Sequence, residues 1–139
     1  MGREISIRLA LIAGAALALT AATQQPPTLA QVQPGEWELT GVPGAKAPVR
    51  QCVSDIMTLS RYEHRAKTCS QGTLNQHGSS AIVDYRCGAA GFGRSELDVI
   101  TPRSLRISTQ GISEQLPFNY VLQARRVGDC TKSASIAHH

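Results

Sequence analysis

The sequence is poor in aromatic residues, with one Trp, three Tyr and two Phe among its 139 residues. It has no run of Lys or Arg longer than the pair Arg125-Arg126. Nucleic-acid binding calls for a basic stripe, and single strands also need aromatic platforms. With neither present and a formal net charge of only +4, no nucleic-acid partner is expected, and the surface is read as mixed in sign. Close cysteine pairs are missing too: the gaps between successive cysteines are 16, 17 and 42 residues. Zinc sites normally contain a C-x₂₋₄-C or H-x₃₋₅-H pair, so no metal is expected. Gly88-Ala89-Ala90-Gly91-Phe92-Gly93 lacks the Gly-Lys-Ser/Thr end of a phosphate loop and the spacing of a dinucleotide fingerprint. It reads as a bend or bulge between strands, and no cofactor is expected.

The one long apolar run, Leu9 to Leu19, follows Arg3 and Arg8. It is well short of the ~20 residues a spanning helix needs. A basic start, a short apolar core and small residues after it make a Sec-type signal peptide. We assign it to residues 1–30, with cleavage after Ala22 or Ala30, so no membrane span is expected after processing. No Cys follows the run, which argues against a lipoprotein anchor. Residues 31–33 are read as a flexible lead-in, the end of a polar, Pro-containing stretch from residue 23. Residues 34–130 are read as a single β domain and 131–139 as a polar tail. Without residues 1–30 the chain keeps 12 basic and 9 acidic side chains. The expected location is periplasmic or secreted, where four cysteines in a domain of this size read as two disulfides.

Period-two alternation dominates the domain. Val83, Tyr85 and Cys87 alternate with Asp84 and Arg86; Leu97 and Val99 with Glu96 and Asp98; Leu105 and Ile107 with Arg106 and Ser108. Leu116, Phe118, Tyr120, Leu122 and Ala124 form a longer run of the same kind. Each run can bury one face and wet the other. Together they predict a mainly β fold: an antiparallel meander of about seven strands, strongly curved or half-barrel, with one short helix and disulfide staples. Trp37 and Leu39 face inward on a first strand, Val49 to Val53 is a second, and Lys67 to Leu74 a third. Ser54-Asp55 opens a helix of about two turns, its side chains able to cap free N–H groups. The charged segment after it, including His64, is read as a solvated loop.

Turn residues set the registers. A three-residue loop Thr101-Pro102-Arg103 places Asp98 opposite Arg106. Gly111-Ile112 fits a II′ turn, and His77-Gly78-Ser79 a three-residue hairpin with Gly78 left-handed. The last register sets Cys69 opposite Cys87, which leaves Cys52 for Cys130. The competing pattern, Cys52–Cys69 with Cys87–Cys130, is compatible with the sequence.

Pro34-Gly35-Glu36-Trp37-Glu38-Leu39-Thr40 after a signal peptide, a Cys after a second short strand, a Cys-x₁₇-Cys hairpin and a last strand ending Arg126-Val127-Gly128-Asp129-Cys130 resemble the bacterial exported family called domain of unknown function 3617. The resemblance covers residues 34–130. It implies a small periplasmic β domain with paired cysteines, and no activity.

Three functional readings follow. The first is a non-catalytic domain that binds an envelope component or an unknown envelope protein. The second is a carrier whose curved sheet shelters a small apolar ligand between Trp37, Phe118, Tyr120 and Leu122. The third is an enzyme of unknown type. No catalytic residue is assigned: Asp55, His64 and a serine could be drawn as a triad, yet nothing fixes a nucleophile elbow.

Overall fold

The computed structural model describes residues 27–131, the side chain of Leu74 excepted. The apolar run Leu9–Leu19 and residues 132–139 lie outside the described residues. The chain begins with one helical turn, α1 (Pro27–Ala30), then pairs β1 (Gly35–Thr40) with β2 (Val49–Val53). A second turn, α2 (Met57–Ser60), leads into a 3-10 turn, Tyr62–His64. Five strands follow: β3 (Ser70–His77), β4 (Ser80–Arg86), β5 (Gly91–Thr101), β6 (Ser104–Ser113) and β7 (Leu116–Gly128), with a 3-10 turn at Gly88–Ala90 before β5. All neighbouring pairs are antiparallel. The sheet order is β2-β1-β7-β6-β5-β4-β3, so β3 to β7 form a meander and the last strand returns to the first. Among the described residues β2 and β3 are free edges, and the sheet is open rather than a closed barrel.

One face of this sheet carries the core. Trp37, Leu39, Val83, Leu97, Ile107 and Leu122 are all buried on it. Residues 27–32 and α2 cover that face, contributing Leu29, Val32, Ile56 and Leu59 to the same cluster. The N-cap position is Ile56, without a side-chain cap; one residue earlier, Asp55 Oδ1 accepts the Met57 N–H at 2.9 Å. The helix is a single turn rather than two, and the third strand starts at Ser70 rather than Lys67. The segment read as a flexible lead-in is packed: Val32 is buried, and Gln33 donates its N–H to the Pro102 carbonyl at 3.0 Å.

The turns differ from expectation in an instructive way. Asp98 does stand opposite Arg106, with a 3.6 Å ion pair between them. However, the loop is two residues, and an irregularity between Val99 and Thr101 absorbs the third. The Gly78 hairpin behaves alike. His77 pairs with Ser80 around a two-residue turn, and a shift between Thr73 and Asn75 restores the register to Ser70 opposite Arg86. In both hairpins a bulge supplies the residue that the turn does not use.

Gly111 is not in a turn. β6 runs through it to Ser113, and the chain reverses at Glu114 and Gln115, with φ of 49° and 71°. Two successive positive φ angles are the signature of a I′ hairpin, normally met by Asn or Gly. Gly111 instead answers crowding: a Cβ there would lie 2.1 Å from the Phe92 carbonyl oxygen.

Candidate functional site

On the inner face, at the end of the sheet beyond α2, three rings converge. Tyr85 on β4 and Phe118 on β7 flank the central pair Gly93 and Gly111 in one cross-strand row. The His64 ring sits between them, with centroids 5.4 Å from Tyr85 and 5.8 Å from Phe118. His64 is only 2% exposed, which corrects its reading as a solvated loop residue. Its Nε2 is 3.0 Å from the Ala90 carbonyl. A carbonyl can only accept, so Nε2 carries the proton and Nδ1 accepts from the Tyr85 hydroxyl at 3.2 Å. The 3-10 turn also buries Tyr62, while Arg65 stacks over that ring at 4.3 Å and Glu63 accepts the Tyr120 hydroxyl at 2.8 Å.

Burial pushes the Tyr85 phenol up to about 12. Burial, and next the Glu63 carboxylate, raise Tyr120 further. Both therefore stay neutral donors. Deeper in, the Ser95 hydroxyl donates to the Ser60 carbonyl and lies 2.8 Å from Thr109 Oγ1. Every buried side-chain polar atom among the described residues has a partner. Both His64 nitrogens are engaged with Tyr85 and Ala90, and Asp55 Oδ1 accepts the Met57 N–H, so the drawn triad does not assemble. Among the described residues no three His, Cys, Asp or Glu side chains come together as metal ligands would. This cluster anchors the 60–68 segment to the sheet and has no group aimed at an external partner.

The four residues read as ligand-facing do not share an opening. Trp37 and Leu122 are wholly buried, and Trp37 donates its indole N–H to the Gln33 carbonyl at 3.1 Å. Tyr120 is held by Glu63, and Phe118 packs between His64 and Tyr120. The segments around α1 and α2 occupy the space a sheltered ligand would need. Cys52 is joined to Cys130, with Cα atoms 5.4 Å apart, and Cys69 to Cys87, at 4.1 Å. The first bond ties β2 to the end of β7. The second pins the free edge strand β3 beside β4.

The opposite, outer face carries a feature the sequence reading missed. A cleft of about 840 Å³ opens over β3 to β7. One cross-strand row on its floor runs Arg86, Phe92, Ile112, Pro117. The next runs Asp84, Arg94, Gln110, Asn119. Phe92 is 49% exposed. Asp84 accepts two bonds from Arg94, at 2.7 and 3.1 Å, and this guanidinium holds its carboxyl below the usual carboxylate range. Away from the cleft the same face is laced by ion pairs: Glu38 with Arg50 and Arg125, and Asp98 with Arg106. The signal was present in the sequence as Phe92 and Ile112, apolar residues on the wet side of their strands, but period two alone does not show that they become neighbours.

The chain matches the family model described as a protein of unknown function (DUF3617) over residues 32–130, and it belongs to that family. No curated protein and no solved structure matches it.

Proposed function

We propose that this member of the DUF3617 family is a non-catalytic exported domain that binds an envelope component in the cleft on the outer face of its sheet. The observation that carries this reading is the row of exposed Phe92, half-buried Ile112 and exposed Pro117 on the floor of a recess of about 840 Å³. Ligand pockets typically measure ~300–1,000 Å³ and combine apolar walls with a few placed polar groups. The cleft has both, with Arg94, Gln110 and Asn119 as the polar set. Two disulfides fit an oxidising, extracytoplasmic compartment. Among the described residues no helix is long and apolar enough to cross a membrane.

The carrier reading is supported by the same observation, once moved from the inner face to the outer one. The inner face is filled by its own chain, whereas the outer recess is open.

Native mass spectrometry of protein purified from the extracytoplasmic fraction tests the proposal. We expect a retained small molecule or partner, released on denaturation and lost in Phe92→Asp. Bare protein, or a retained species indifferent to that substitution, would contradict it.

A further inference from the structure

The cleft is uneven in charge. Arg94 is committed to Asp84 through two bonds. Arg86 forms no ion pair within the described residues and is exposed at one end of the apolar row. Phe92 lies opposite Arg86, Ile112 opposite Phe92 and Pro117 opposite Ile112. Neighbouring strands stand ~4.8 Å apart, so this row extends about 14 Å from the arginine. Arg86 also acts on the Asp84 carboxylate through its charge, so two guanidiniums face one carboxylate and the floor keeps one net positive charge, with Arg86 at the head of the apolar strip.

We infer that the cleft takes a linear amphiphile with one carboxylate, a fatty-acid type of ligand, its head on Arg86 and its chain along Phe92, Ile112 and Pro117. The inference rests on the proposal that the cleft is the binding site, and it names the ligand class. A planar guanidinium matches a carboxylate bidentately. Two arginines against one aspartate on the floor repel a cationic head. One net positive charge on the floor does not match a polyanion. The volume of the cleft lies within the size range of small-ligand sites. Elsewhere on this face Glu38 is set against Arg50 and Arg125, and Asp98 against Arg106.

The test is isothermal titration of the disulfide-intact protein with dodecanoate, dodecanol and dodecyltrimethylammonium, each below its micelle concentration. Dodecanoate should bind at least tenfold more tightly than dodecanol, and the ammonium compound most weakly. Arg86→Gln should erase the advantage of the carboxylate while leaving dodecanol binding unchanged. Phe92→Ser should weaken both. Both positions are exposed, and the circular dichroism of each variant checks its fold. Equal binding of dodecanoate and dodecanol, preference for the cation, no binding of dodecanoate, or indifference to Arg86→Gln would overturn the inference. If native protein retains a molecule of another class in a Phe92-dependent way while dodecanoate fails, the ligand class falls and the binding cleft stands.

Discussion

Tyr85 lies over Gly93, filling the place where a side chain would stand: a Cβ on Gly93 would fall 2.4 Å from the tyrosine hydroxyl oxygen. Gly111 stands opposite Gly93 on the next strand, and Phe118 lies over it in the same way. At this pair one layer of backbone separates the ring cluster around His64 from the outer cleft, which the two glycines also line. Gly93→Ala should therefore lower stability by about 1–3 kcal/mol, the usual cost of overpacking. Gly72→Ala, where an added Cβ meets nothing within 4 Å, should stay within about 0.5 kcal/mol. Urea denaturation of both variants checks the contrast.

His64 is a packing residue whose loss should be felt widely. His64→Ala should cost about 3 kcal/mol, from the cavity it leaves and the orphaned Ala90 carbonyl and Tyr85 hydroxyl. The 60–68 segment should lose amide protection first, as hydrogen exchange would show.

Much of this was legible in the alternation of residues. The inward runs through Val83, Leu97, Ile107 and Leu122 mark the buried face, and the Asp98–Arg106 register follows from matching such faces. Bulges were not legible, because an extra residue in a strand looks the same as one in a turn. The turn lengths at Gly78 and Pro102 were thus each misread by one residue while the strands beyond them stayed in register. His64 was not legible either. A histidine between Glu63 and Arg65 carries the same local signal whether its turn folds over a ring cluster or stands in water. The cleft is a relation between five strands, β3 to β7, and no single strand displays it.

The tyrosines give a pH test. A phenol whose folded value is raised to about 12 by burial binds its proton more tightly folded than unfolded, where the value is ~10. Its contribution to stability is complete below pH 10 and is lost as pH rises from 10 through 12. Stability measured across that range should fall, and Tyr85→Phe should flatten the fall.

The two disulfides should differ in weight. Cys52–Cys130 spans 78 residues and Cys69–Cys87 spans 18. The chain-entropy relation assigns them about 4.5 and about 3 kcal/mol. Replacing Cys52 and Cys130 by Ser should lower the thermal midpoint more than replacing Cys69 and Cys87.

The core also bears on processing. Leu29 is wholly buried, and Thr28 donates from its N–H and its hydroxyl to Gln76 Oε1 at 3.3 and 3.1 Å. Cleavage after Ala30 would remove both residues, whereas cleavage after Ala22 would keep them. N-terminal sequencing of exported protein should therefore begin at Thr23. A chain begun at Gln31 should be less stable by about 2 kcal/mol, the worth of one fully buried Leu.

The most direct test of the binding cleft is amide chemical-shift mapping by NMR, titrating the labelled protein with the molecule released from native material. The shifts should concentrate at Arg86, Phe92, Arg94, Gln110 and Ile112, with those of Trp37 and Leu39 unmoved. Shifts centred instead on the inner face, or scattered without a focus, would contradict the account.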